Sequence, residues 1–360
     1  MWPYWILFLL PAVKAVSNLR QSGQLTLVQR WSGLWLVMYF LLALMIGFRH
    51  EVGGDWSVYL ENMSAKANLT LADVLAVRHG DPADNLFNWI AVESDLGIYF
   101  VNTAYGLLFS FGLIVFCRNQ PRPWLALTVA VPYLISVVAM GYSRQGVAIG
   151  LAMLALVALE NKRVLKFVLW IALASTFHKS AVILITLALL AGTKRRLFML
   201  IWVVITAILL FNLLLQEYID VFYKNYIGAE YESSGAAIRI AMNALPAVLF
   251  LIFRKRFQLS STQRSFWIWM SWGALLFVIL LYISPSSTAV DRVALYWIPL
   301  QLFVWSRLPD ALGQRSGANF GWVYAVVVYS ALVHFVWLFF AQTAFAWLPY
   351  QFYPWVWLWR

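Results

Sequence analysis

Long apolar runs alternate with short polar, charge-bearing gaps along nearly the whole chain. A membrane span needs about 20 mostly apolar residues, and shorter or broken spans are tolerated inside a bundle. On that basis the pattern predicts spans over 2–17, 31–48, 98–116, 124–140, 143–160, 164–177, 180–193, 197–215, 237–253, 266–283, 293–306 and 320–341. The runs 164–177 and 180–193 are short, and read as two halves of one broken helix or as two tilted ones. The expected fold is therefore an all-α polytopic transmembrane bundle of about twelve spans, a single integral membrane domain over 1–360. Two stretches break the rhythm. Residues 49–96 form the longest polar segment, with room for short amphipathic helices lying on the bundle. Residues 342–360 contain "WLPYQFYPWVWLWR", whose Trp and Tyr suit an interfacial belt better than a further span.

Composition agrees with the pattern: 63% of the residues are hydrophobic and 11% charged. A soluble domain of this length cannot hide so much apolar surface. The first run, Trp2 to Val13, lacks the basic leader and small-residue cleavage site of a signal peptide, and is expected to be a retained span. Cys117 is the single cysteine, so it forms no internal disulfide and is expected to pack. The net charge of +11 would suit nucleic acid if it were clustered on one domain, but it is spread over short gaps between spans. Sorting those gaps alternately separates two sets. One set contains Lys14, Arg20, Arg30, Arg118, Arg122, Lys162, Arg163, Lys166, Lys194, Arg195, Arg196, Arg254, Lys255, Arg256, Arg264, Arg307 and Arg315. It holds 17 of the 26 Lys and Arg residues but only two acids, Glu160 and Asp310. The other set holds 13 of the 15 acids. The positive-inside rule makes the first set cytoplasmic and the second outward-facing, with both termini outside.

The chemistry collects in the outward set, at "GFRHEVGGDWSVYLENM", "GYSRQG", "FHKSA", "YESSGAAIRI" and "STAVDRVALYW". Each stretch puts a cation or a cation–acid pair at a span end: Arg49, Arg144, His178 with Lys179, Arg239, and Asp291–Arg292. A lone arginine at such a position usually snorkels to headgroups, and a lone histidine is usually a packing residue. Arg144 and Arg239 depart from that pattern, because each begins an apolar run on the side that positive charge avoids. Five such features on one face predict a convergent cationic site opening outward. Guanidinium groups match phosphate oxygens bidentately, and the depth suggests a phosphate carried by a lipid. Metal and nucleotide sites fare poorly. The histidines at 50, 79, 178 and 334 show no ligand pairing, and the Gly-Lys-Ser/Thr ending of a nucleotide loop is missing. No metal and no cofactor is expected.

"FRHEVGGDWSVY" resembles the Arg-x-x-x-Gly-x-Asp-aromatic-x-x-Tyr stretch of the EpsG-like, Wzy-type polysaccharide polymerases. "SRQGVAIGLAMLAL", "LASTFHKSAVILI", "GAAIR" and "DRVALYW" resemble that family's later blocks in the same order, so the resemblance covers roughly residues 31–305. It implies a GT-C-related bacterial inner-membrane enzyme of surface-polysaccharide assembly, working on repeat units carried by undecaprenyl diphosphate at the periplasmic face. Arg49, Gly53, Asp55, Tyr59, Arg144, Gln145, His178, Asp291 and Arg292 match the family's pattern, and Arg239 matches more loosely. Gly54 stands where a Thr or Ser is common.

The expected reaction is metal-independent glycosyl transfer from a lipid diphosphate-linked glycan to a hydroxyl of another lipid-linked unit. Arg144, Arg239 and Arg292 are expected to stabilise the departing diphosphate, with Lys179 assisting. His178 and Asp55 are both candidate bases, and Asp55 could equally orient Arg49 or bind a sugar hydroxyl. Gly53 and Gly54 allow a tight turn or close sugar approach. The expected partners are undecaprenyl-diphosphate-linked oligosaccharide as donor and acceptor, membrane lipids, and the pathway's flippase and chain-length regulator, but no nucleic acid. The alternatives are an O-antigen-ligase-like transferase, a membrane acyltransferase with His178 as base, and a non-catalytic transporter of lipid-linked sugars. A transporter should show inverted repeats and charges near mid-membrane, and the sequence has neither.

Overall fold

A computed structural model describes residues 1–17, 32–77, 80–191, 201, 204–205, 233, 235–314 and 317–358. The expected span over 197–215 falls almost wholly outside these residues. So do Arg20, Arg30, His79, the basic group Lys194–Arg196, Arg315 and the loop leading to Ser233. Among the described residues every regular element is helical, and the one extended pairing is an isolated bridge between Arg49 and Phe352.

The helices follow the apolar runs closely. They are α1 (Trp2–Ser17), α2 (Gly33–Gly47), α6 (Gly97–Arg118), α7 (Pro123–Ala130), α8 (Ser143–Glu160), α9 (Val164–Phe177), α10 (Ala236–Phe253), α11 (Ser261–Ile283) and α14 (Phe320–Phe340). Five of them, α6, α8, α10, α11 and α14, are long and apolar enough to cross a membrane. Shorter apolar helices occupy Trp2–Ser17, Gly33–Gly47, Pro123–Ala139 and Val164–Phe177. Three differences from the expected spans have local causes. The run 124–140 is α7 continued by a π-helix, Val131–Ala139, which starts where Pro132 has no N–H to give to the regular ladder. The run 180–193 is a 3-10 segment, Lys179–Ala191. The run 293–306 is broken into α12 (Ser287–Ala294), a 3-10 turn at Leu295–Trp297 and α13 (Ile298–Leu312), with Pro299 in the first turn of α13. The polar segment 49–96 carries three short helices, α3 (Trp56–Ser64), α4 (Leu71–Ala76) and α5 (Pro82–Glu93). Thr70 and Asp73 form a reciprocal capping box at the start of α4.

Burial sorts the helices into an inner and an outer layer. The rod Pro123–Ala139 is buried throughout, α13 almost throughout, and α8 on most of its length. Gly112 of α6 and Gly150 of α8 lie backbone against backbone, where a Cβ on Gly112 would collide with the Gly150 carbonyl. Close approach of this kind replaces the hydrophobic drive that helix pairs lack in lipid. The outer helices expose large apolar side chains, among them Ile238 and Ile252 of α10, Tyr282 and Ile283 of α11, and Leu332 and Phe340 of α14. Such a surface suits acyl chains rather than water.

The polar ends of the inner helices fall into two groups that match the charge sorting. At one end Arg122 is bound by Asp310 at 2.6 Å, Arg307 by Gln120, and Trp267 donates to Glu160 at 2.7 Å. All the charged members of that group belong to the set rich in basic residues, and they include both of its acids. The other group contains Arg49, Asp55, Asp81, Arg144, Lys179, Arg239, Asp291 and Arg292. The 18 residues of α8 separate the two by about 27 Å along its axis.

Candidate functional site

The second group is assembled around four consecutive residues, Tyr142–Gln145, where the π-helix ends and α8 begins. Between them they hold three separate parts of the chain. Tyr142 lies under the Arg292 guanidinium, whose Cζ is 4.3 Å from the ring centroid. The Ser143 hydroxyl accepts from Arg49 Nη2 at 2.6 Å. Arg144 Nη1 donates to Asp81 at 3.0 Å, ahead of α5. Gln145 Nε2 donates to the Arg292 carbonyl at 2.5 Å in α12. The start of one inner helix therefore anchors the early polar segment and the late "DRVALYW" block together.

The four arginines have four different states. Arg49 is wholly buried and also donates to the carbonyls of Ile46, at 2.6 Å, and Val52, at 3.3 Å. It closes the C-terminal end of α2, which places it in the framework behind the site. Arg144 meets Asp81, with Asp84 at 4.0 Å. Arg239 is gripped bidentately by Asp291, both contacts at 2.8 Å, and its Nη2 also reaches Ser233 at 2.6 Å. Asp291 is thus the partner of Arg239 across two helices rather than of its neighbour Arg292. The Arg292 guanidinium makes no hydrogen bond or ion pair with the described residues, and the ring of Tyr142 is its one contact of this kind.

The carboxylates change the expected picture of a cationic site. Asp81 accepts from Arg144 on one oxygen and from the Lys179 backbone N–H, at 3.0 Å, on the other. Burial pushes its carboxyl up to about 6, against the pull of Arg144, while Asp84 adds to the rise. Asp84 in turn accepts from the Tyr105 hydroxyl at 2.7 Å. Lys179 itself is buried beside this cluster. Asp55 stands at the start of α3 with no side-chain cap bond, and no hydrogen bond to its carboxylate is made by the described residues. Burial raises its affinity for a proton, opposed by Arg292 and then Arg144. Tyr59, one turn further on, is buried with its ring facing Arg144 at 5.9 Å. Gly53 has φ +107°, and a Cβ there would meet the Met140 carbonyl at 2.7 Å, so the tight turn before Asp55 requires glycine.

His178 lies in the link between α9 and the 3-10 segment. Its Nδ1 pairs with the Ser180 hydroxyl at 2.6 Å and lies 3.4 Å from the Tyr296 hydroxyl. Burial, reinforced by Arg144 and Arg292, pushes the imidazole down to about 3, so it is neutral at ordinary pH. Among the described residues no group of three or more His, Cys, Asp or Glu side chains is placed to hold a metal ion. His50 instead meets the Tyr99 hydroxyl at 2.6 Å, and His334 packs between Trp5 and Phe8.

The aromatic tail forms a wall of the same site. The 3-10 turn Ala344–Trp347 accepts the Gly53 N–H on the Ala346 carbonyl at 2.8 Å, and Trp347 is buried against Tyr142. The Tyr350 hydroxyl reaches the Met45 carbonyl at 2.7 Å, and Phe48 and Tyr353 are joined through the backbone at 2.8 Å.

The geometry unites Arg49, Gly53, Asp55, Tyr59, Arg144, Gln145, His178, Lys179, Arg239, Asp291 and Arg292 at one end of the bundle. It adds Asp81, Asp84, Tyr142, Ser143 and Ser233. "GDP" at 80–82 reads from sequence as an ordinary helix start, with Asp81 before a first-turn proline, which hid the role of Asp81 as an arginine partner. Tyr142 and Ser143 lie inside "GYSRQG" but carry no charge to mark them. Residues 33–352, nearly the whole chain and all of this cluster, match the EpsG family. The chain belongs to that family. EpsG proteins are a family of Wzy-like polysaccharide polymerases, and the apolar helices make this EpsG-family chain a membrane protein. No curated protein and no solved structure matches it.

Proposed function

We propose that this EpsG-family protein is a metal-independent, GT-C-related polymerase of bacterial surface polysaccharide. In this reading it transfers an undecaprenyl-diphosphate-linked glycan to a hydroxyl of a lipid-linked repeat unit, at the periplasmic face of the inner membrane. The observation that carries the reading is the Arg292 guanidinium beside Asp55, which no described residue binds, in a cluster where Arg49, Arg144 and Arg239 are each already bound by oxygen. The acceptor oxygen attacks the anomeric carbon as the bond from that carbon to the diphosphate breaks. The diphosphate leaves with the electron pair, and the acceptor proton passes to a base. Arg292 meets the charge that grows on the leaving group, with Lys179 near by, and Arg144 and Arg239 shape the surrounding field from within their ion pairs. Asp55 is the base in this scheme. Its carboxylate accepts no hydrogen bond from the described residues and its proton affinity is raised, whereas the imidazole of His178 is engaged and holds a proton poorly.

The test is the product formed when the purified protein, in lipid, receives an undecaprenyl-diphosphate-linked oligosaccharide alone. Longer lipid-linked chains are the expected result. A glycan moved onto a different acceptor would identify a ligase, and a reaction that needs an acyl donor would identify an acyltransferase. The pathway's flippase and chain-length regulator are the partners this reading implies.

Asp81 gives the proposed reaction a pH dependence. Its carboxyl titrates near 6, and protonation removes the countercharge from Arg144. The initial rate of chain extension is expected to fall as pH drops through about 6, and Asp81→Asn is expected to lack that inflection. Stability moves the other way. A carboxyl whose folded value is raised above the ordinary value near 4 stabilises most below that value, and loses this contribution as pH rises through about 6. A rate and an unfolding midpoint that shift in the same direction between pH values of about 5 and 7 would exclude this assignment.

A further inference from the structure

We infer that Tyr142 is a positioning residue for Arg292: its ring holds the guanidinium in place while leaving every N–H donor free for an anion. The inference rests on the diphosphate reading of Arg292 and extends it to a residue with no charge of its own.

Three observations converge on it. First, the guanidinium carbon of Arg292 is 4.3 Å from the Tyr142 ring centroid, closer than Arg49 to Trp56 or Arg144 to Tyr59, both at 5.9 Å. Second, both partners of the contact are fixed to the same short stretch. Gln145, three residues after Tyr142, holds the Arg292 carbonyl at 2.5 Å, so the ring and the arginine backbone keep a common frame. Third, the ring is braced from another side. Trp347 meets Tyr142 edge-to-face at 6.2 Å between centroids and is itself met by Trp337 at 5.5 Å. A Cβ at the preceding residue, Gly141, would collide with the Trp347 ring, so the chain passes too close for any other residue. The Tyr142 hydroxyl makes no hydrogen bond with the described residues, which leaves the ring face as its contribution.

This arrangement differs in kind from the carboxylate pairs of Arg144 and Arg239. A carboxylate fixes a guanidinium by taking up its donors and cancelling its charge, as Asp291 does for Arg239. A ring face attracts the same cation through its quadrupole and takes none of the five N–H donors. A leaving diphosphate needs those donors preorganised and unspent. Holding Arg292 by an aromatic face meets both requirements, for a guanidinium whose donors no described residue takes.

The test is a ring series combined with a double-mutant cycle, read as the initial rate of lipid-linked chain extension by the full-length protein in lipid. Tyr142→Phe keeps the face and is expected to stay within about threefold of wild type, whereas Tyr142→Leu removes it and is expected to lower the rate by about three- to thirtyfold. In an Arg292→Lys background, which retains a cation and a measurable rate, Tyr142→Leu is expected to cause less than half of that loss on a logarithmic scale, because the planar partner is gone. Tyr142→Trp offers a second ring-bearing variant should Tyr142→Leu fail to fold, and it is expected to exceed Tyr142→Ser in rate. The inference is overturned if Phe and Leu lower the rate equally, if Leu does nothing, or if its effect is undiminished in the Arg292→Lys background. An Arg292→Ala protein with a normal rate would overturn the diphosphate reading itself. That result is distinct from a series in which Arg292 matters and the ring does not.

Discussion

Arg292→Ala is expected to slow chain extension by about 10²–10³, the usual cost of removing one preorganised donor from a developing charge. The protein is expected to insert and fold, because the Arg292 side chain carries no ion pair among the described residues and its backbone carbonyl still accepts from Gln145. The measurement is the initial rate of lipid-linked glycan extension, compared at matched amounts of folded protein. Arg292→Lys restores the charge but neither the planar fork nor the fit to the Tyr142 ring, so it should recover a minor part of the loss. An Arg292→Ala protein that builds chains at the wild-type rate would remove this guanidinium from the mechanism.

Asp291→Ala is expected to act first on stability. Asp291 and Arg239 are both largely buried, with side chains 9% and 17% exposed, and the carboxylate takes two 2.8 Å contacts from the guanidinium. Breaking such a pair from one side typically costs about 3–5 kcal/mol, because the remaining charge stays out of water without its partner. The thermal unfolding midpoint of the detergent-solubilised protein should drop accordingly. Replacing both members together by Leu and Met should recover most of the midpoint, since no stranded charge remains. That double variant also asks whether the pair matters to the reaction. A stable but slow protein would show that its field acts on the substrate.

The sequence is informative where a single physical rule dominates. Apolar run length places α1, α6, α8, α9, α10 and α14 to within a few residues, because a helix in lipid must close its own backbone hydrogen bonds. Charge asymmetry places Arg122, Arg307, Glu160 and Asp310 in one set, and the structure brings these four to one end of the inner helices. It also marks Arg49, Arg144, Arg239 and Arg292 as belonging together. The sequence does not reveal which acid each arginine meets, since Asp81 and Arg144 lie 63 positions apart and Asp291 and Arg239 lie 52 apart. Adjacency in sequence suggests Asp291–Arg292, but successive residues on a helix point in different directions, so the structure pairs Asp291 elsewhere. The break between α12 and α13 and the π-helix after Pro132 arise from local backbone chemistry that a hydropathy window averages away.

The tail that walls the site also bears on when the site can exist. Tyr4 donates its hydroxyl to the Trp347 carbonyl at 2.8 Å across 343 positions, and residues 346–353 are bonded to residues 45–53. At a synthesis rate of roughly 5–20 residues per second, Trp347 leaves the ribosome some 17–70 s after Tyr4. The early loop with Gly53 and Asp55 is made near the beginning of that interval. It is therefore made well before the wall that braces Tyr142. A chain halted before Trp347 carries the arginines and acids of the site but lacks the brace, so assembly of the complete site is tied to late synthesis.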